Sequence, residues 1–205
     1  MNIVFDFGAV LFRWQPAQLV ARTFPHRAAT LEAAHQLARA IFSHEDWHAF
    51  DGGLVEMDEV VQRTAQRLDL PHSPLHALVA SIEVELAPMP DTVDILDQLV
   101  QRRSQRTDLR LYYLSSMPIP YARALEQRHA FLTWFDGGIF SGDVKLTKPD
   151  PAIYELLESR YALVPTHTVF IDDLPANVAC AQARGWTGIH FESAAQLQQA
   201  LLPLL

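Results

Sequence analysis

Short apolar runs recur along the chain, and each is brief enough to be a single buried strand. The first is Ile3-Val4-Phe5, which is partly β-branched and uninterrupted by polar residues. Runs of this kind predict strands that are covered on both faces of a sheet. Similar runs occur at Leu111–Leu114, Thr168–Ile171 and Gly188–Phe191, with a weaker one at Gly138–Phe140.

Helical patterns separate these runs. Apolar residues recur every three or four positions, which places them on one face of a helix. The two clearest sets are Val93, Leu96, Leu99 and Val100, and Ile153, Leu156 and Leu157. Each set follows a proline-rich stop, and a proline suits the first turn of a helix. Strands that alternate with helices predict an α/β protein with a parallel sheet covered on both faces.

One long segment breaks the alternation. From about Gln15 to Leu86 the pattern is helical throughout, with turn signals at Asp51-Gly52-Gly53 and at residues 71–74. Its apolar sets are Leu37 and Ile41, and Met57, Val60, Val61 and Leu68. We predict a sheet domain made of residues 1–14 and 87–205, with a helical domain, residues 15–86, inserted after the first strand.

Composition and charge narrow the classes of partner. The 205 residues are 49% hydrophobic and 20% charged, as is usual for globular proteins. The net charge of −8 argues against nucleic acid and against an anionic membrane surface. A short basic cluster, Arg102, Arg103, Arg106 and Arg110, follows a helical pattern and is interpreted as a solvated face. No apolar run is long enough to cross a bilayer, so we expect no membrane partner.

The cysteine content and the first residues of the chain are informative about the cellular compartment. Cys180 is the single cysteine, so no internal disulfide can form. Met1 leads directly into a strand-like run, without the basic and apolar regions of a signal peptide. We therefore expect a cytoplasmic protein. A monomer and a homodimer agree equally well with the sequence.

Reactive polar residues lie at or beside the apolar runs. They are Asp6, Ser115, Lys148 and the adjacent pair Asp172-Asp173. An aspartate can attack phosphorus and form an aspartyl-phosphate that water then hydrolyses. A hydroxyl and an ammonium group can hold the transferring phosphoryl group. Adjacent carboxylates repel each other and suit Mg²⁺, which prefers oxygen ligands. The set is what a Mg²⁺-dependent phosphoryl transfer requires.

The set and its order resemble the haloacid dehalogenase superfamily. The segments that carry the resemblance are VFDFGAVL, LYYLSSMP, SGDVKLTKPDPAIY and VFIDDLPANV, and the match runs from Asn2 to about Phe191. The resemblance implies a Rossmann-like parallel sheet. It also implies that residues 15–86 form a cap of the first type, over the carboxyl ends of the strands, where open α/β sheets bind ligands.

The resemblance also implies roles. Asp6 is the nucleophile and a metal ligand, and Ser115 holds a phosphoryl oxygen beside Ser116. Lys148 neutralises the nucleophile and the phosphoryl group, and its proline context favours it over Lys145. Structural alternatives exist for two of the motifs. A strand-end aspartate can cap a turn, and paired serines can cap the helix that follows them.

The same resemblance implies a Mg²⁺ site. The ligands are Asp6, the backbone carbonyl of Gly8, and one member of the acidic pair. Asp173 is the implied direct ligand, while Asp172 holds either a metal-bound water or Lys148. The sequence alone barely distinguishes which of Asp172 and Asp173 is the direct metal ligand.

Gly8 departs from the common pattern. Most phosphatases that resemble this chain carry a second aspartate there, which protonates the leaving oxygen and then activates water. The turn at Gly8 is similar to that of a branch of sugar phosphatases that also carry glycine. Losing a general acid–base typically costs about 10²–10⁴ in rate. A good leaving group, or a proton donor from the cap, can compensate.

The helical segment is expected to select the substrate. Its candidates for substrate contact are Trp14, Trp47, His44, His48 and Asp51. Trp47 is the first choice, although most aromatic residues in such segments are core. The nine histidines show no metal-ligand spacing.

The leading hypothesis is a phosphatase for a small phosphorylated metabolite, with sugar phosphates as the candidate class. A 2-haloacid dehalogenase also uses an aspartate nucleophile, but the acidic pair indicates a metal that such dehalogenases do not need. A phosphate-binding protein that has lost catalysis is the third alternative. A phosphomutase relies on the carboxylate that Gly8 lacks.

Overall fold

A computed structural model describes residues 1–104 and 108–205. Within that part of the chain, five strands form one parallel sheet, in the order β3-β2-β1-β4-β5. The strands are β1 Asn2–Phe5, β2 Arg110–Ser115, β3 Gly137–Phe140, β4 Thr168–Asp172 and β5 Thr187–His190. Each apolar run that predicted a strand overlaps a strand, although Phe191 lies just after β5, and the predicted α/β fold with a parallel sheet is confirmed.

Helices separate the strands as predicted. After the first five, the described residues contain α6 Pro90–Arg103, α7 Ile119–Arg128, α8 Ser141–Val144, α9 Pro151–Tyr161, α10 Pro175–Ala183 and α11 Ala194–Leu201. Short 3₁₀ turns lie at Ala130–Trp134, Pro165–His167 and Leu202–Leu204. Prolines occupy the first turns of α6 and α9, as the sequence predicted.

Five helices lie between β1 and α6. They are α1 Pro16–Thr23, α2 Leu31–Phe42, α3 Glu45–Asp51, α4 Met57–Leu68 and α5 His72–Glu85. The all-helical pattern of residues 15–86 is therefore observed. Its division from the rest as a separate cap domain stays a prediction, because buried residues of these helices and of the sheet belong to one apolar cluster.

Strand pairing brings the predicted motifs to one edge of the sheet. β1 lies in the middle, with Phe5 opposite Tyr113 of β2 and opposite Ile171 of β4. Asp6 follows β1 directly, while Ser115 and Asp172 end the two neighbouring strands. Parallel strands end at the same edge, so these three side chains become neighbours although they are far apart in sequence.

Alternate residues of β1 pack on opposite faces of the sheet. Ile3 and Phe5 belong to the large cluster that includes the five helices. Val4 belongs to a second cluster, with Tyr154 and Trp186 on the other face. This alternation follows from the period of two residues in a strand. It explains why β1 is apolar at every position between Ile3 and Phe5.

The structure also bears on two expectations about partners, one concerning membrane-spanning helices and one concerning the basic cluster. Among the described residues, no helix is both long and apolar enough to cross a membrane. In the basic cluster, Arg103 forms an ion pair with Asp136 at 2.9 Å, and Arg102 is exposed. Arg106 lies outside the described residues.

Candidate active site

A buried lysine lies between two aspartates at the carboxyl edge of the sheet. Lys148 Nζ lies 2.8 Å from Asp6 Oδ1 and 2.6 Å from Asp172 Oδ2. Its side chain is 2% exposed, and that of Asp172 is fully buried. Burial by itself lowers the pKa of Lys148, but Asp172 and Asp6 more than offset this and raise it. Lys148 therefore stays charged in the fold.

Asp172 is held by several donors at once. One carboxylate oxygen accepts from the Leu174 amide at 2.8 Å, and Asn177 Nδ2 donates to both oxygens at 2.9 and 3.1 Å. Lys148 Nζ also donates a hydrogen bond to Asp172 Oδ2. Of the two roles left open for Asp172, contact with Lys148 is the one that the geometry supports.

Sequence reasoning missed the part that Asn177 plays. Asn177 lies in the first turn of α10 and is almost fully buried. Its position five residues after Asp172 brings its amide back to the strand end across one helical turn. The spacing in DDLPAN is the signal that could have indicated this contact.

Three carboxylates come close enough to share a metal ion. Oxygen atoms of Asp6, Asp172 and Asp173 lie within 4.8 Å of one another. Burial raises the pKa of Asp6 to about 7, and the other two carboxylates add to this, although Lys148 lowers it. Burial and Asp172 raise the pKa of Asp173 to about 6. Three carboxylates beside one lysine leave an excess of negative charge, so the oxygen donors fit Mg²⁺.

The segment before α9 positions Lys148. The Lys148 amide donates to Ser116 Oγ at 3.2 Å. Two residues later, Asp150 caps α9 by accepting from the Ala152 amide at 2.9 Å. Lys145, the competing candidate, is exposed and has a left-handed backbone conformation at the end of α8. Only Lys148, of the two, reaches the acidic cluster.

The two serines lie where predicted, but they do not cap the next helix. Ser115 ends β2 and is buried, with Ser116 directly after it, and both line the cavity described below. Among the described residues, no side chain caps α7, whose N-cap is Pro118. The capping alternative is therefore wrong, because Ser116 bonds instead to the Lys148 amide.

Gly8 lies in a tight loop that follows Asp6. The Phe7 carbonyl accepts from the amides of Leu11 and Phe12, at 2.9 and 2.8 Å, and Ala9 has φ of 56°. A Cβ atom placed on Gly8 would meet nothing within 4 Å. The site thus has room where other sequences carry a side chain.

A cavity of about 320 Å³ opens above these residues, within the range of small-molecule sites. Its floor is polar and contains Asp6, Gly8, Ser115, Ser116, Lys148 and Asp173. Its walls are largely apolar, with Trp14, Ala38, Phe42, Trp47, Ile82 and Leu86 among them. Residues of α2, α3 and α5 supply most of these walls, so the helical segment forms much of the cavity above the strand ends.

Most of the candidates in the helical segment reach this cavity. Trp47 lines it while remaining 94% buried, and packs edge-to-face on Phe42 and on Phe50. His48 and Asp51 also line it. His44 instead caps α3, because its Nδ1 accepts a hydrogen bond from the Asp46 amide.

Comparison with known proteins agrees with this geometry. The family model described as "haloacid dehalogenase-like hydrolase" matches residues 1–185. The sesquiterpene phosphatase astK of Aspergillus oryzae is 26% identical over 187 residues, which cover 91% of this chain and 87% of that protein. Flavin mononucleotide hydrolase 1 of Arabidopsis thaliana is 30% identical over 115 residues, covering 55% of this chain and 45% of that protein.

Solved structures share the fold at low identity. One is a haloacid dehalogenase-family enzyme of Bacteroides thetaiotaomicron in complex with magnesium and inorganic phosphate. It has a TM-score of 0.68 and 18% identity, over 93% of each chain. Another is the L-2-haloacid dehalogenase of Xanthobacter autotrophicus, with a TM-score of 0.65 and 20% identity, over 98% of this chain and 82% of that one.

Proposed function

The chain belongs to the haloacid dehalogenase-like hydrolases, and from this premise we propose that it is a Mg²⁺-dependent phosphatase for a small monophosphate ester. The observation that carries the proposal is the cluster of three carboxylates around one buried lysine, at the polar floor of the cavity. Two relatives, one named a sesquiterpene phosphatase and one a flavin mononucleotide hydrolase, support it.

Each side chain has a distinct task in this proposal. Asp6 attacks phosphorus and carries the phosphoryl group until water releases it. Lys148 and Ser115 hold the phosphoryl oxygens as negative charge shifts during transfer. Asp6, Asp173 and the Gly8 carbonyl are the candidate Mg²⁺ ligands. When bound, the metal neutralises charge on the phosphoryl oxygens.

The floor argues against a dehalogenase, although one solved neighbour is such an enzyme. Halide displacement from a haloacid needs a carboxylate nucleophile but no cation to offset a second and third carboxylate. Here Asp6, Asp172 and Asp173 lie within 4.8 Å of one another and share a single lysine, Lys148. This excess of negative charge favours metal-assisted phosphoryl transfer.

We expect p-nitrophenyl phosphate to be hydrolysed with Mg²⁺ and not after treatment with EDTA. This ester has a good leaving group and therefore needs little help from a general acid. The effect is measured as release of p-nitrophenol at about pH 7–8, with and without Mg²⁺. A concentration of about 5–10 mM keeps Mg²⁺ in excess over its dissociation constant. Chloride release from 2-chloropropionate, with no metal-dependent phosphatase activity, would favour the dehalogenase instead.

The cavity walls indicate the class of the organic group. A sugar offers hydroxyl groups that need buried polar partners, whereas these walls are mainly aromatic and aliphatic. Polar side chains such as His35, Arg39 and His48 lie on exposed parts of α2 and α3. We therefore propose an apolar monophosphate, such as a terpenyl phosphate, in preference to a sugar phosphate. The sesquiterpene phosphatase relative agrees with this choice.

Phe42→Ala tests the apolar wall. Phe42 is half-buried at the end of α2 and packs edge-to-face on Trp14 and Trp47 at 5.1 and 4.7 Å between ring centroids. Removing the ring is expected to lower kcat/KM for farnesyl monophosphate by roughly 5- to 30-fold, about 1–2 kcal/mol of apolar contact. The inhibition constant for inorganic phosphate should stay constant, since phosphate does not reach this wall.

A matched control and a substrate comparison complete this test. Phe131→Ala truncates another half-buried phenylalanine that packs on Phe12, outside the cavity. It should leave selectivity between farnesyl monophosphate and glucose 1-phosphate as in the wild type. A wild-type preference for glucose 1-phosphate would contradict the apolar class while leaving phosphatase activity established.

A further inference from the structure

One carboxylate in the cavity has no place in the phosphatase scheme so far. Of the described residues that line the cavity, the carboxylates belong to Asp6, Asp51 and Asp173. Asp6 and Asp173 are in the metal-binding group on the floor, whereas Asp51 is outside that group. Asp51 is the last residue of α3 and approaches the floor from the helical segment.

We propose that Asp51 is the catalytic acid and base of this enzyme, supplying from the helical segment the proton transfers for which Gly8 has no side chain. The proposal rests on the proposed phosphatase function. It places the proton donor in the part of the cavity lining that the helical segment supplies, in the same cavity as Asp6 and Lys148.

The backbone of Asp51 is fixed to the sheet domain. Its carbonyl accepts from Ser141 Oγ at 2.5 Å, and the Met117 amide donates to the same Oγ at 2.7 Å. Ser141 follows β3 and is fully buried. A catalytic proton donor needs such a fixed position, because proton transfer requires hydrogen-bond distance.

Gly53 permits this close approach. Gly53 has φ of 63°, and a Cβ atom on it would lie 2.8 Å from the Gly142 carbonyl oxygen. The chain after α3 therefore runs against the backbone of α8. The junction consists of Asp51, Gly53, Ser141 and Gly142, and it holds the end of α3 beside the segment that carries Lys148.

The protonation of Asp51 suits an acid. Burial raises the pKa of Asp51 well above its ordinary value, and Asp6 adds to this, while Lys148 and the Trp47 side chain act in the opposite direction. An acid that is protonated before the reaction can give its proton to the leaving oxygen.

The other proton donors of the cavity suit this task less well. The Tyr121 hydroxyl donates to the Val79 carbonyl at 2.7 Å, and its pKa is raised by burial. His35 and His48 are exposed. Asp51 is the group that combines a half-buried carboxyl group, a fixed backbone and a place in the cavity lining.

The two proton transfers balance across the cycle. A carboxylate oxygen of Asp6 forms a bond to phosphorus while the bond from phosphorus to the leaving oxygen breaks. That oxygen takes the proton of Asp51 and departs as an alcohol. Water then attacks the aspartyl-phosphate, Asp51 accepts the proton of the water, and phosphate leaves. Asp6 is again a carboxylate and Asp51 again a carboxylic acid.

The test compares two leaving groups in Asp51→Asn. For n-octyl phosphate, whose alcohol is a poor leaving group, kcat/KM should fall by about 10²–10⁴. For p-nitrophenyl phosphate the loss of kcat/KM should be at least about ten times smaller, because nitrophenolate departs without a proton. Asp58→Asn, an exposed aspartate of α4, is the matched control and should show no such difference.

Gly8→Asp adds a readout that a structural role of Asp51 would not move. Introduced into Asp51→Asn, it should restore hydrolysis of n-octyl phosphate by at least tenfold, since the loop has space for a Cβ atom. In the wild type, where Asp51 already supplies the acid, the same substitution should give no such gain. A wild-type gain of about 100-fold or more would overturn the proposal, because it would show that no acid is present.

The remaining outcomes are also decisive. Equal losses for the two esters in Asp51→Asn, or no loss for n-octyl phosphate, would overturn the role of Asp51. If Asp51→Asn does not fold, a large wild-type gain from Gly8→Asp still overturns the proposal. Wild-type turnover of p-nitrophenyl phosphate tests the phosphatase function separately, so a failure of Asp51 can be told from a failure of that function.

Discussion

Asp6→Asn is expected to abolish phosphatase turnover while the protein stays folded. The amide cannot attack phosphorus, so kcat for p-nitrophenyl phosphate should fall by at least about 10⁴. The loss should hold for every phosphate ester, including those with good leaving groups, since all of them pass through the same aspartyl-phosphate. This separates Asp6 from Asp51, whose loss should depend on the leaving group.

The stability of Asp6→Asn follows from the pKa of Asp6. Burial raises that pKa to about 7 from an ordinary 3.8. A carboxyl group with a raised pKa in the fold binds its proton more tightly there than in the unfolded chain. Its ionised form therefore destabilises the metal-free fold, an effect that begins above pH 4 and is complete above pH 7.

At pH 8 without Mg²⁺, the melting temperature of Asp6→Asn should equal or exceed that of the wild type. Thermal unfolding measured with EDTA and with Mg²⁺ checks this. The rise in melting temperature on adding Mg²⁺ should be smaller in the variant, because one ligand is gone. Turnover retained in Asp6→Asn would exclude the proposed nucleophile, and a cooperative transition lost entirely would show a structural role.

Lys148→Met is expected to cost both stability and activity. Lys148 is the cation between Asp6 and Asp172, at 2.8 and 2.6 Å. Removing one partner of a buried ion pair typically destabilises by about 3–5 kcal/mol. For a protein of this size that is a fall in melting temperature of roughly 6–20 °C. Activity should fall by at least about 10³, as for the loss of a group that stabilises developing charge.

A double variant and a control sharpen this experiment. Adding Asp172→Asn to Lys148→Met removes the carboxylate left without a cation, so part of the lost stability should return while activity stays absent. Lys145→Met removes an exposed lysine three residues earlier and should change neither. If Lys145→Met abolished activity and Lys148→Met did not, the assignment of the phosphate-binding lysine would be reversed.

Much of the fold could be predicted because its signals are local. A strand buried on both faces needs apolar residues at consecutive positions, and Ile3–Phe5 and Thr168–Ile171 have them. The strand-end position of Asp6, Ser115 and Asp172 followed from the same runs. Parallel pairing then brings them together without further information, so the floor of the site was predictable in outline.

The cavity was less predictable because its contacts join distant segments. No local pattern relates Asp51 to Ser141, although one hydrogen bond connects them. The sequence suggested sugar phosphates from the turn at Gly8, whereas the apolar walls depend on how α2, α3 and α5 pack above the floor. Trp47 is a second example. The sequence could not distinguish a residue of the cavity wall from a core residue at this position, because the difference depends on packing.

The central position of β1 has a consequence for how the protein is made. Asn2 pairs with Arg110 on one side and with Thr168 on the other, so both neighbours leave the ribosome long after β1. At about 5–20 residues per second, the sheet cannot close until many seconds after its middle strand appears. During that time the helical segment can form from local contacts. The apolar β1 has no neighbouring strand in the same period and is therefore exposed to aggregation.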